Sequence, residues 1–144
     1  MRATHQIASA CLIAAAGSSH AERVFGVTSN QSLVSFDSAT PGVIRSGAFI
    51  SGLQSNERII GIDFRPADGR LYGLGSFNTL YAIDAVTGAA SAVGPSFAPG
   101  LNGSSFGFDF NPTIDRIRVV SDADQNLVLN PDDGSATQAT PLFF

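Results

Sequence analysis

Apolar and polar residues alternate along short segments of this chain, and turn residues separate the segments. Residues 60–64, IGIDF, place apolar side chains at every second position, which is the period of a half-buried strand. Residues 106–110, FGFDF, repeat the pattern. After residue 21, no segment carries apolar residues at the 3.6-residue period over a helical length. The pattern therefore predicts an all-β fold.

The clearest unit of this pattern is Gly61–Gly88, which contains three short strands and tight turns rich in Asp, Asn, Pro and Gly. Gly107–Gly134 aligns with it without a gap at an offset of 46 residues, and a partial copy starts at Arg23 at an offset of 47. A weak fourth strand follows at Ala89–Val93. The predicted strands are residues 23–27, 33–36, 43–50, 60–64, 71–74, 80–83, 89–93, 106–110, 116–120 and 127–129.

A repeat of 46–47 residues with four short strands is typical of a β-propeller blade. The predicted fold class is therefore all-β, with antiparallel propeller-like blades, about two and a half repeats and an incomplete ring. Closed propellers have about four to eight blades. Three explanations stay open: the chain is a fragment of a longer domain, two or more copies assemble, or the units form a small sandwich.

The N-terminus has the features of a secretory signal peptide. Arg2 supplies a positive charge, Ile7–Ala16 is an apolar run of about ten residues, and Ser19-His20-Ala21 provides small residues around a cleavage site. The sequence thus predicts a signal helix in residues 1–21, cleavage after Ala21, and export to the periplasm or the extracellular space. Residues 22–144 would form a single β-repeat domain.

Cleavage would remove the only cysteine and both histidines, and the chain has no lysine. The mature chain would carry seven arginines and twelve acidic residues, a formal net charge of −5. This balance argues against a nucleic-acid partner, and the one long apolar run is too short to span a membrane. The missing side chains exclude a Ser-His-Asp triad, a thiol nucleophile, a Schiff-base lysine and the usual zinc ligands.

Repeated polar residues are the remaining candidates for chemistry. Asp63 and Asp109 sit in the middle of equivalent strands and could be a pair of glycosidase carboxylates. Their repetition favours a structural role, in which each carboxylate accepts hydrogen bonds that tie its own blade. Arg23, Arg70 and Arg116 each begin a strand, and the preferred interpretation is an ion pair with an acid of the same or the adjacent blade.

Asp122, Asp124 and Asn126 have the spacing that opens a calcium loop, with Asp133 at the twelfth position. Leu127 stands where such a loop needs glycine, and the repeat places a strand at residues 127–129. A plain polar turn is therefore the preferred interpretation. No catalytic, cofactor-binding or metal-binding residue is assigned, and no cofactor is expected.

The motifs GIDFRPADGRLYGLGSFNTLYAIDAVTGAASAVG and GSSFGFDFNPTIDRIRVVSDADQNLVLNPDDG resemble those of domain of unknown function 4394, a family of exported bacterial domains. The resemblance runs from about Arg23 to the C-terminus. It implies a propeller-like fold and export, and no activity. Because domains of this family are longer than this chain, it also implies a truncated member.

The expected function is a non-catalytic exported binding or scaffold module, with an extracellular protein or glycan as ligand and self-association through unpaired blade edges. Two alternatives remain: a carboxylate-based hydrolase of glycans or lactones, and a truncated gene product with no independent function. Any function is expected in the loops that differ between copies, chiefly Gly94–Ser104 and Ser121–Asn126.

Overall fold

The computed structural model describes residues 21–141, which form three antiparallel sheets, none of them closed. The first sheet has the strand order β1-β2-β3, the second β4-β5-β6-β7 and the third β11-β10-β9-β8. The strands are β1 Arg23–Val27, β2 Ser32–Asp37, β3 Thr40–Phe49, β4 Ile59–Phe64, β5 Leu71–Gly75, β6 Thr79–Ile83, β7 Ala90–Ala92, β8 Phe106–Asn111, β9 Arg116–Ser121, β10 Asn126–Leu129 and β11 Ala136–Gln138. The all-β prediction is confirmed. Residues 1–20 of the predicted signal peptide lie outside the described part of the chain.

The sheets follow the sequence repeat closely. Strands β8 to β11 stand at the positions of β4 to β7, and β1 to β3 stand at the positions of β5 to β7. The pattern did not predict β11, although Ala136–Gln138 lies 46 residues after β7. Small and polar residues at this sheet edge give it no apolar alternation to detect.

Strand β3 starts earlier than predicted. The sequence indicated a turn from Asp37 to Gly42, but the chain turns at Ser38 and Ala39 and is extended again from Thr40. Strand β3 is the outer strand of its sheet, where Pro41 removes no hydrogen bond from a neighbouring strand. The polar turn residues were recognised, but the length of the turn was overestimated.

The three sheets stack face to face, and the second sheet is the middle layer. Its Leu71, Tyr81 and Ile83 pack in a cluster with Leu33 and Phe25 of the first sheet. On its opposite face, the core with the third sheet is formed by Tyr72, Leu74, Leu80, Ile117, Val119, Leu127 and Leu129. Every residue of β5 and β6 is buried, because both faces of these strands are covered. The repeat thus builds two apolar interfaces from one pattern.

Residues 21–141 include no helix long and apolar enough to cross a membrane.

Candidate ligand-binding cleft

A cleft of about 630 Å³ opens between the second and third sheets, at the end where β4 and β8 begin. Its volume falls within the range of about 300–1,000 Å³ that is usual for small-molecule sites. The lining residues come from the start of β4, the β5–β6 turn and the β7–β8 loop: Ile60, Ser76, Phe77, Asn78, Leu101, Gly103, Ser104, Ser105 and Phe106. One of the two loops predicted to carry function, Gly94–Ser104, therefore forms part of the cleft.

Asn78 holds the β7–β8 loop against the second sheet. Its backbone carbonyl accepts a hydrogen bond from the Phe97 amide at 2.7 Å, and its side-chain oxygen accepts one from the Leu101 amide at 2.7 Å. Asn78 has a positive φ of 66°, and the equivalent Gln31 and Asp124 have φ angles of 61° and 57°. The repeat thus places a left-handed residue in each of these turns, and at Asn78 the short amide side chain also fixes the loop.

Asp122 holds the same loop from the third sheet. Its Oδ1 accepts hydrogen bonds from the backbone amides of Ser104 at 2.8 Å and Ser105 at 3.2 Å, and its Oδ2 accepts one from the Ser104 hydroxyl at 2.5 Å. These bonds, first the one from the Ser104 hydroxyl, hold the pKa of the Asp122 carboxyl below its usual value. The second predicted loop, Ser121–Asn126, does not line the cleft but supports the lining residues Ser104 and Ser105 through Asp122.

A buried carboxylate positions the most exposed aromatic side chain of the cleft. Glu57 is only 6 % exposed. Its Oε2 accepts a hydrogen bond from the Tyr81 hydroxyl at 2.6 Å, and its Oε1 accepts one from the Phe77 amide at 3.0 Å. Burial, together with the bond to Glu57, raises the pKa of Tyr81. Gly75 leaves the space, since a Cβ there would lie 2.2 Å from Glu57 Oε1. These contacts fix the backbone that carries the Phe77 ring.

The lining of the cleft is apolar and uncharged polar. Ile60, Phe77, Leu101 and Phe106 provide apolar surface, and Phe77 remains 45 % exposed. Hydroxyl, amide and backbone groups supply the polar contacts, and no ionisable side chain is among the lining residues. The arrangement suits a ligand with an apolar face and several hydroxyl or amide groups, and it offers no general acid or base.

A second concavity, of about 460 Å³, lies at the other end of the second sheet and includes Arg70 and Asp84. Asp84 Oδ1 accepts the backbone amides of Val86 at 2.8 Å and Thr87 at 2.7 Å, so it caps its own turn. The Arg70 guanidinium lies 5.9 Å from the centre of the Tyr72 ring. Both charged groups serve local structure, which makes this concavity the weaker candidate.

The Asp63 and Asp109 carboxylates, which occupy equivalent repeat positions, have different surroundings. Asp63 Oδ1 accepts the Phe64 amide at 2.8 Å, while its Oδ2 accepts the amide of Phe110 in the next sheet at 2.7 Å. The expected bond within its own repeat is present, from the Phe64 amide, but the expectation missed the second bond, which crosses to the next sheet. Asp109 occupies the same position in β8 but is exposed, on the face of the third sheet that no other sheet of residues 21–141 covers.

The three repeated arginines do not form the expected ion pairs within residues 21–141. Instead Arg65, at the end of β4, joins the second and third sheets. Its guanidinium contacts Asp115 Oδ1 at 2.9 Å and Asp132 Oδ1 at 2.8 Å. The bonds to Arg65 hold the pKa of Asp115 below its usual value. The repeat does not point to Arg65, because Asn111 replaces it in the next copy.

The calcium hypothesis concerns side chains that have other partners. Asp122 bonds the β7–β8 loop, and the Asn126 amide group contacts Arg118 at 2.8 Å and the Thr140 carbonyl at 2.7 Å. Among the described residues, no group of three or more His, Cys, Asp or Glu side chains could hold a metal ion.

Residues 32–144 match the model of a family described as a domain of unknown function (DUF4394). The chain belongs to this family. The resemblance seen in the two repeated motifs is thereby confirmed, and the match includes all of the second and third sheets. A comparison with curated proteins finds no match.

The cleft of this DUF4394 domain could be predicted only in part. The two variable loops were identified from the sequence, because they break the repeat. Glu57 and Phe77 were missed, although each has a signal: Glu57 is an acid within a polar loop, and Phe77 is an aromatic residue at the centre of a turn. Their connection depends on a contact between residues 20 positions apart, which no local pattern encodes.

Proposed function

We propose that the chain is an exported, non-catalytic binding module of β-propeller-like architecture, with its ligand in the cleft between the second and third sheets. The observation that carries this proposal is a cleft of about 630 Å³ whose loops are held in place by Asn78, Asp122 and Glu57. Loops fixed before binding lose little conformational entropy when a ligand arrives.

A glycan is the ligand class that best matches the lining. Sugar rings present an apolar face that can stack on an aromatic ring such as Phe77, and their hydroxyls can bond uncharged groups such as those of Asn78 and Ser105. Because the lining carries no ionisable side chain, the proposed glycan is uncharged. The exported location follows from the predicted signal peptide and would bring the cleft into contact with such polymers.

The propeller-like architecture rests on the way the sheets are arranged. Successive sheets stack face to face, and the same repeat positions are buried at each of the two interfaces. The first strands of the second and third sheets, β4 and β8, lie close together. Radial repetition of four-stranded sheets in this manner is characteristic of propellers.

A glycan array probed with the full chain tests the binding function. We expect binding to neutral glycans, which Phe77→Ala should weaken at least about tenfold, because it removes the stacking surface. Val86→Ala, at a residue that is 85 % exposed and lies outside the cleft, is the matched control. Equal binding by Phe77→Ala, or binding to none of the glycans, would contradict the assignment.

The hydrolase alternative has less support, because both oxygens of Asp63 accept backbone amides. A direct assay with glycan and lactone substrates decides between the two. Turnover by the purified chain that disappears in Asp109→Asn would replace the binding function with an enzymatic one. Export is tested separately by the N-terminal sequence of the secreted chain, which we expect to start at Glu22.

A further inference from the structure

Within residues 21–141, strand β1 pairs with another strand along one edge, whereas its counterparts β5 and β9 pair along both edges. In the second and third sheets, β5 and β9 each lie between the first and third strands of their sheet. Strand β1 stands at the same repeat position, and among residues 21–141 it pairs only with β2. One edge of β1 therefore corresponds to the edge that β4 and β8 occupy elsewhere.

The backbone groups on that edge can be identified from the hydrogen-bond alternation. Bonds from the Thr28 amide to the Ser32 carbonyl and from the Ser38 amide to the Glu22 carbonyl bracket the β1–β2 ladder. In an antiparallel pair, successive residues point their amide and carbonyl groups to opposite sides. Arg23, Phe25 and Val27 consequently direct theirs away from β2, towards the open edge. Tyr72 and Leu74 are the counterparts of Phe25 and Val27 in the second sheet. By the same alternation, their amide and carbonyl groups point towards β4.

There is space and apolar surface beside this edge. A cavity of about 240 Å³ is lined by Val27 of β1 and by Ile59–Ile62 of β4. The Phe25 and Phe64 rings lie edge to face, with centroids 5.1 Å apart, and hold β1 near β4. Side chains of an added strand would meet apolar groups from both sheets there.

The G-x-D-F motif of β4 shows what such a strand must carry. A Cβ on Gly61 would lie 2.7 Å from the Phe108 Cβ, so glycine permits the close approach of the next sheet. Asp63 accepts the amide of Phe110 in that sheet. Phe64 occupies the repeat position equivalent to Phe110. Its amide donates a hydrogen bond at 2.8 Å to Asp63 of the same strand, and not to an acid of another sheet. An Asp from an added strand would give this amide the partner that Phe110 has.

We propose that the open edge of β1 binds, antiparallel and in trans, an extended strand with the G-x-D-F pattern carried by another polypeptide. The register follows from the β4–β5 ladder: the Asp lies opposite Phe25 and the Gly opposite Val27. Residues 12–17 of the chain stand at the same repeat position but have Ala14 and Ala16 where the motif has Gly and Asp. They therefore lack both groups that serve the next sheet.

A nine-residue peptide with the sequence of residues 58–66, RIIGIDFRP, provides the probe. Titration into the full chain should give saturable binding by calorimetry, with slower hydrogen exchange at the amides of Phe25 and Val27. N-methylation of the peptide at Gly61 and Asp63 removes donors that face β1 and should weaken binding at least about tenfold. N-methylation at Ile62 and Phe64, whose amides point the other way, should change it much less.

Two further peptides complete the test. The Asp63→Ala peptide should bind more weakly than the original, and a peptide with the reversed sequence, which has the same composition, should not protect the β1 amides. Absence of binding to the full chain would overturn the proposal. This holds even if the reason is that residues 12–17 occupy the edge. Equal weakening by both N-methylated peptides would overturn it too, since a paired strand edge requires alternation.

Discussion

The second and third sheets are built from the same repeat, but they meet different surroundings. The second sheet lies between two neighbours, and Tyr72 and Leu80 point into its core with the third sheet. At the same repeat positions the third sheet has Arg118 and Asn126, on the face turned away from the second sheet. Arg118 donates a hydrogen bond to the Asn126 side chain at 2.8 Å across that face.

This difference shows which features of the repeat are needed for stacking and which belong to the sheet itself. The strand register from Gly61 and Gly107 onwards, the left-handed turn residues and the face towards the preceding sheet are retained in both copies. The residues that would face a following sheet are not. A repeat position is thus apolar where the described structure covers it and partly polar where it does not, as expected from the cost of burying unpaired polar groups.

Exchanging Tyr72 and Arg118, which occupy the same repeat position, should produce the largest difference in unfolding free energy between the two sheets. Tyr72→Arg places an unpaired charge in a position that is 1 % exposed, and we expect a loss of more than about 4 kcal/mol of unfolding free energy or failure to fold. Arg118→Tyr should cost no more than about 1 kcal/mol, because its main loss is one hydrogen bond. Urea denaturation followed by circular dichroism measures both, and similar losses would show that the two faces are equivalent.

The two acids at the repeated motif position, Asp63 and Asp109, give a second contrast. Asp63→Ala leaves the amides of Phe64 and Phe110 without their acceptor and should cost about 2 kcal/mol. Asp109→Ala removes an exposed side chain and should change stability by less than about 0.5 kcal/mol. Hydrogen exchange at the Phe110 amide provides an independent readout. A loss from Asp109→Ala as large as that from Asp63→Ala would mean that Asp109 has an equivalent partner.

Arg65 and Asn111 provide a third and smaller contrast. Arg65, whose side chain is 13 % exposed, contacts acids of the third sheet that are themselves partly exposed, so Arg65→Ala should cost about 1 kcal/mol. Asn111→Ala should have about half that effect or less. The difference between the two variants should shrink in high salt, since screening weakens exposed ion pairs. A difference that does not respond to salt would assign the role of Arg65 to its apolar stem.

The sequence predicted the repeated parts of the fold better than the contacts between them. Strand positions follow from local alternation, which is why β4, β5, β8 and β9 lie close to their predicted ranges. The partners of Asp63 and Arg65 lie in the next sheet, and their identity depends on how two sheets are stacked. No local period encodes that arrangement.

The candidate cleft shows the same division. Its loops were recognised as the segments that depart from the repeat, whereas the residues that hold them were not. Asp122 was considered for its spacing to Asp124 and Asn126, but its partners are Ser104 and Ser105 in a different turn. The spacing in the sequence raised a metal loop as an alternative to the preferred polar turn, whereas the contacts in space show that Asp122 supports a neighbouring loop.

Measurements at low pH should separate the contributions of two carboxylates to the unfolding free energy. These are Asp115, at the Arg65 contact, and Asp122, which holds the β7–β8 loop of the cleft. Both have a pKa below the ordinary value of 3.8 in the folded chain. Each therefore stabilises the fold fully above that value, and the contribution is lost as the pH falls through the lowered pKa. Arg65→Ala should flatten the dependence of unfolding free energy on pH below about 4, because Asp115 loses its partner. Asp122→Asn should flatten it independently, through the loop contacts of Ser104. If neither variant alters the slope, these bonds do not survive in solution at the strength their geometry implies.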